Sequence, residues 1–197
     1  MRNIAILVFD EVEVLDFCGP FEVFSVTDEL NDHDLFKVYT LARRKRRIRA
    51  RNGLKILPDY SIRSAPAPDI LLIPGGEGTR RLMRDNRLLS WIQRLAAGTE
   101  LILTVCTGSL VLAKAGLLDG LKATTHHEVI PLLRETAPLA EVVVDRRFID
   151  NGSVIVSGGI SAGIDMCLYV VEKLHGEEVA RRTAVYMEYP WKDAKWS

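Results

Sequence analysis

A chain of 197 residues can bury one substantial core and is too short for two full-sized ones, so a single domain over residues 1–197 is expected. Lysine plus arginine total 26, as do aspartate plus glutamate, so no net field draws in nucleic acid or an anionic membrane, and the expected partner is a small molecule. Three scattered cysteines (Cys18, Cys106, Cys167) give neither a disulfide framework nor a metal-ligand pair, and their odd number suits a reducing compartment.

The first apolar run, Ile4 to Phe9, reads as a strand. Asp10, Glu11 and Glu13 interrupt it too early for a secretory leader, and no stretch is long enough to span a bilayer, so a cytoplasmic location is expected. A helix over Pro20 to Asp28 and a strand over Phe36 to Ala42 follow. Arg43-Arg44-Lys45-Arg46-Arg47, continued by Arg49 and Arg51, has no interleaved aromatic residue; it reads as a solvated edge guarded by charge, not as a nucleic-acid surface. Asn52-Gly53, between Ile48–Arg51 and Leu54–Leu57, signals a hairpin. Strands at Ile70–Pro74, Leu101–Val105, Lys122–Thr125 and Val154–Ser157 alternate with helices at Arg87–Ala97, Gly108–Ala115, Glu128–Glu135, Gly163–His175 and Glu177–Met187. Glu141–Asp145 and Arg146–Asp150, reaching Val154 through Asn151-Gly152, suggest a second hairpin. Continuous apolar strands separated by amphipathic helices imply an α/β, flavodoxin-like three-layer sandwich with a mainly parallel sheet and a small antiparallel hairpin.

Such sheets bind ligands beyond the carboxyl ends of their strands, where Asp10 to Gly19, Pro74-Gly75-Gly76, Cys106-Thr107-Gly108, His126-His127 and Gly158-Gly159 all fall. Cys106 stands between an apolar strand and a helix with no loop on either side, a sharp elbow that is expected to present the sulfur. The unsatisfied N–H groups of the following helix should lower its thiol pKa. Gly75 and Gly76 are either a turn that starts a helix or, with the Thr107 amide, donors to an oxyanion. That turn lacks the Gly-Lys-Ser/Thr of a phosphate-binding loop, so nucleotide binding is not expected. Asp16, in an apolar setting, is either a helix N-cap or a partly desolvated proton donor, with Glu22, Asp10 and Glu13 as alternatives and the last two expected to be solvated. His126-His127-Glu128 lacks metalloprotease spacing, so no metal is expected; one histidine either faces the cleft or caps a turn. Cys18 and Cys167 read as packing residues.

Taken together, Asp16 with Gly19-Pro20-Phe21-Glu22-Val23-Phe24, the Pro74-Gly75-Gly76 turn, the Cys106-Thr107-Gly108-Ser109 elbow, Ala123-Thr124-Thr125-His126 and Gly158-Gly159 with Ser161 to Asp165 resemble the ThiJ/PfpI superfamily, relatives of class I glutamine amidotransferases. Cys106 to Ser109 with Ala115 to Gly120 is similar to the branch that contains isonitrile hydratase and the sensory domains of AraC-type regulators. The resemblance implies Cys106 as nucleophile, Asp16 as acid/base, a homodimer, and no metal or organic cofactor. Protease-like members carry histidine directly after the cysteine, where this chain has Thr107, which argues against peptidase chemistry. His127 stands where the branch usually has tryptophan. The implied reaction adds water to an isonitrile through a thioimidate on Cys106; a non-catalytic sensor and a glyoxalase-like enzyme are the alternatives. Because the sequence ends at Trp196-Ser197, after its last expected helix, no DNA-binding module is expected.

Overall fold

The computed structural model describes residues 1–192; Trp196 and Ser197 lie outside the described residues. In chain order the strands are β1 (Arg2–Leu7), β2 (Phe36–Ala42), β3 (Ile48–Arg49), β4 (Lys55–Ile56), β5 (Tyr60–Ser61), β6 (Ile70–Ile73), β7 (Leu101–Val105), β8 (Lys122–Ala123), β9 (Glu141–Val142), β10 (Phe148–Asp150) and β11 (Val154–Ser157). The helices are α1 (Val14–Glu29), α2 (Thr79–Leu82), α3 (Asn86–Ala96), α4 (Gly108–Lys114), α5 (Ile130–Thr136), α6 (Ala162–His175) and α7 (Glu177–Tyr186).

One seven-stranded sheet runs β10-β11-β7-β6-β1-β2-β5, parallel throughout except where β10 meets β11. Every residue of β6, β7 and β11 is buried, because helices cover both faces and leave no side of these strands to water. The helices pack in two groups, α1 with α6 and α7, and α4 with α2, α3 and α5, which completes the α/β three-layer architecture expected from the sequence. Ile48–Arg49 and Lys55–Ile56 form the expected antiparallel hairpin, with Asn52 and Gly53 both at positive φ, 59° and 95°.

Three expectations change. Helix α1 begins at Val14, six residues before Pro20. Proline favours a helix's first turn, which is why the pattern suggested a start there. Here Pro20 sits inside the helix and leaves the Asp16 carbonyl without its usual donor. Packing carries the helix through: at Gly19 a Cβ would come 3.0 Å from Ile164 of α6. Second, Glu141–Val142 pairs in parallel with Lys122–Ala123 outside the main sheet, and the second hairpin is β10 with β11 alone. Third, Arg43 to Arg47 form an exposed loop between β2 and β3, while the edge of the sheet on that side is β5.

Strand β1 leads through α1 to β2 on one side, and β6 lies on its other side, so the chain leaves β1 and β6 in different directions at their carboxyl ends. That divergence opens a crevice. The turn after β6, the elbow after β7 and the first turn of α1 meet there at very short range. At Gly108 a Cβ would lie 2.0 Å from the Ile73 carbonyl oxygen, so α4 can start only where a glycine stands. Gly108→Ala should destabilise the fold by about 1–3 kcal/mol in urea unfolding, as overpacking does, because backbone, not a flexible side chain, must yield.

Candidate active site at the elbow after β7

Cys106 has a φ of 56°, a left-handed conformation that a residue with a side chain keeps only when its surroundings impose it. Its amide donates to the carbonyls of Gly158 (2.9 Å) and Ser157 (3.1 Å). Its carbonyl accepts from Thr125 Oγ1 at 2.9 Å and Ser109 Oγ at 3.1 Å. The elbow is therefore bonded on both sides of the cysteine. The sulfur, however, is not presented: Cys106 is only 6 % exposed. Burial pushes its thiol up to about 12, the Asp16 charge adds to the rise, and a bond from the Thr107 amide opposes it only in part. The expected fall in pKa is thus reversed, because seven residues of α4 do not offset the loss of water.

Asp16 occupies the first turn of α1 and has no exposure to solvent. The capping position belongs to Glu13, whose side chain makes no capping bond, so Asp16 is not a cap. Asp16 Oδ2 accepts from the Gly75 amide at 3.0 Å. Oδ1 is buried with no hydrogen-bond partner among the described residues. Burial raises this carboxyl to about 7 and the Glu13 charge adds to that, against the Gly75 bond and an interaction with the Cys106 side chain. Each of the two groups shifts the other, so they titrate as a pair.

The Gly75-Gly76 turn makes this arrangement possible. A Cβ on Gly75 would sit 2.6 Å from the Thr107 nitrogen and 2.8 Å from Asp16 Oδ2. The Gly76 amide donates to Thr107 Oγ1 at 2.9 Å, and Thr79 Oγ1 bonds the same hydroxyl at 3.2 Å. Both glycine amides are thereby engaged, one orienting the carboxyl and the other Thr107. His126 lies across Gly159 from the sulfur: a Cβ on Gly159 would be 2.7 Å from His126 Cδ2 and 2.9 Å from Cys106 Sγ. Its Nδ1 also accepts from the Glu128 amide at 3.4 Å, so the ring caps a turn and walls the site at once. His127 stacks on it, ring centres 4.3 Å apart.

The sequence named several residues around the pair without showing what they do there. Glu13 and Asp10 are not free in solvent: Glu13 pairs with Arg51 of the hairpin loop at 3.3 Å, and Asp10 with Arg46 at 2.6 Å. Gly159, Thr125 and Ser109 set the walls and the backbone of the cysteine; all three stood in motifs that the sequence singled out, with no such role attached to them. Cys18 is half-buried and Cys167 buried, both as free thiols.

Residues 2–173 match the family described as DJ-1/PfpI. The chain belongs to the DJ-1/PfpI family. Among its relatives, isonitrile hydratase of Pseudomonas putida is 33 % identical over 190 residues, covering 95 % of this chain and 78 % of the relative. The HTH-type transcriptional regulator GbdR of Pseudomonas aeruginosa is 30 % identical over 179 residues, and the match spans 91 % of this chain but only 48 % of the regulator. A ThiJ/PfpI family protein from Pseudomonas syringae superposes with a TM-score of 0.86 at 29 % identity, covering 95 % of this chain and 75 % of that one. This DJ-1/PfpI fold has no helix among the described residues that is long and apolar enough to cross a membrane.

The raised carboxyl has a consequence for stability. Asp16 holds its proton more tightly folded than unfolded, where its pKa is near 3.8, so the stability this contributes is fully present below about 3.8 and is lost as pH rises through about 7. Urea unfolding of wild type between those limits should show that decline, and Asp16→Asn should flatten it and be the more stable protein at pH 8.

Proposed function

We propose that this chain is a cysteine-dependent hydratase that adds water to an isonitrile and releases an N-substituted formamide. The observation that carries the reading is the buried pair: a carboxyl oxygen with no other partner, on an acid titrating at about 7, beside a thiol that cannot ionise unaided. In this reading Asp16, as carboxylate, takes the Cys106 proton while sulfur bonds to the terminal isonitrile carbon. It then returns that proton to the same carbon, giving R–N=CH–S–Cys. Water adds to the C=N carbon, and collapse with proton return to sulfur releases R–NH–CHO and the free thiol, so that one water is consumed and nothing is oxidised or reduced.

Gly75 fixes Oδ2 so that Oδ1 handles the proton, Gly76 and Thr107 hold the elbow, and His126 bounds the substrate against Gly159. A sulfur this covered admits only a slender electrophile. An isonitrile presents a single terminal carbon on a linear group, whereas a planar amide needs room on both sides of its carbonyl. The 33 % identity to a protein named isonitrile hydratase supports the same substrate class.

The test follows isonitrile loss together with formamide formation. Cys106→Ser should abolish both, and Asp16→Asn should lower kcat/KM about 10²–10⁴-fold. Ultraviolet titration should nevertheless show the Cys106 thiolate forming at lower pH in Asp16→Asn, since the charge that raises the thiol is gone; loss of a residue that merely lowered the thiol pKa would shift that titration upward. Wild-type kcat/KM should rise with pH through about 7 and then level off, because the working form holds one proton on the pair.

A second reading, a ligand sensor, is favoured by the similarity to a transcriptional regulator and by a resting thiol at about 12. Wild type that binds isonitriles without converting them establishes that reading and excludes the hydratase. A cytoplasmic location goes with either function and is supported by three free cysteines. A homodimer is the proposed assembly, with Leu15, Leu54 and Leu57 exposed on α1 and the hairpin region as the apolar surface available to it. Sedimentation equilibrium should give twice the chain mass of 22.1 kDa, and a monomer would remove the proposal.

A further inference from the structure

The arginine loop after β2 does not merely line a solvated surface. With residues 8–10, which follow β1, and with α2 and the start of α3, it lines an open cavity of about 640 Å³. Six guanidinium groups line it, from Arg43, Arg44, Arg46, Arg81, Arg84 and Arg87, against only two carboxylates, Asp10 and Asp85. Both carboxylates are already engaged. Asp85 caps α3 through the Leu88 amide at 3.2 Å and pairs with Arg43 at 2.6 Å. Asp10 accepts from the Arg49 amide at 2.9 Å and pairs with Arg46 at 2.6 Å.

Two arginines are thus anchored by acids, while Arg44, Arg84 and Arg87 have no carboxylate within ion-pair distance among the described residues, and Arg81 donates only to the Asp10 carbonyl at 3.1 Å. In a chain of zero net charge this is a local excess of positive charge gathered in a concave site. A second cavity of about 760 Å³ adjoins the first and shares Arg43, Arg44, Asn86 and Arg87 with it. Its apolar wall is Ile62 with Trp91, and Arg87, Trp91 and Arg94 follow one another at helical spacing along one face of α3.

We propose that this two-lobed trough binds a nucleoside polyphosphate, the phosphate chain among the guanidinium groups and the base against Trp91 in the second lobe. Guanidinium forks match phosphate oxygens with paired hydrogen bonds, and several together suit a ligand bearing several charges. The site uses no group of the Cys106–Asp16 pair, and of the glycine turn after β6 it touches only Gly78. A nucleic-acid strand is the poorer fit, since tracking a strand calls for successive stacking rings and Trp91 is the one aromatic side chain lining the second lobe.

Calorimetric titration of the whole chain with adenosine triphosphate, adenosine monophosphate and inorganic tripolyphosphate tests the proposal. Saturable binding of the triphosphate is expected, tighter than tripolyphosphate and much tighter than the monophosphate, and weakening with salt. Arg84→Glu with Arg87→Glu should cost at least about tenfold in affinity, or about 1.4 kcal/mol, at unchanged thermal stability, because neither side chain has a partner to lose. Trp91→Ala should weaken the nucleotide and leave tripolyphosphate as it was. Cys106→Ser should bind like wild type. Absence of saturation at millimolar ligand, equal affinity in the double arginine variant, or a single-stranded oligonucleotide that displaces the nucleotide would overturn the assignment. Equal binding of tripolyphosphate and nucleotide would overturn the role of the second lobe.

Discussion

A proton shared in a place nearly without water is the constraint around which this molecule is arranged. Asp16 and Cys106 would each ionise readily in solvent, and burial penalises the charge on both. Three neighbours at the crevice bear on which of them carries the proton. The Gly75 amide steadies the carboxylate form of Asp16, the Thr107 amide steadies a thiolate, and the Glu13 charge works against both. The balance leaves the acid near neutrality and the thiol far above it, so that the pair loses its first proton in the physiological range and its second well outside.

The fold supplies what such a pair requires, which is rigidity. Cys106 keeps a backbone conformation that is unfavourable for a residue with a side chain, and the bonds its carbonyl accepts from Thr125 and Ser109 and its amide donates to Ser157 and Gly158 hold it there. Ser109 lies in α4, Thr125 follows β8, and Ser157 and Gly158 close β11, so the cysteine is fixed both by its own helix and by parts of the chain far from it in sequence. Glycines at 75, 108 and 159 remove side chains at the points where these parts touch.

What could be read from the sequence was whatever depends on local pattern. The five long apolar runs gave the main parallel sheet because burial on both faces demands uninterrupted apolar side chains, and Asn52-Gly53 marked its hairpin because few residues accept positive φ in succession. Cys106, Asp16, Gly75, Gly76, Thr107 and His126 stood out by type and place. Properties that arise from assembly were not legible. The depth of the sulfur depends on Gly159 and His126 packing over it, and no residue near Cys106 in sequence reports that. Helix α1 ran through Pro20 because α6 and α7 support it, against the local preference of proline. The fate of the arginine loop depended on two acids remote in the chain, Asp10 before it and Asp85 after it.

Arg51 lies beside the Asn52-Gly53 tip, and its own amide donates to the Val12 carbonyl at 2.9 Å, while the Glu11 amide donates to the Arg49 carbonyl at 2.8 Å. The hairpin is thus stitched to the segment that leads into α1, and its arginine offsets Glu13 there. Glu13 in turn acts on both members of the buried pair. The tip of a surface ribbon thus holds the arginine that faces the one charged neighbour common to both members of the buried pair, which ties the ribbon to the interior.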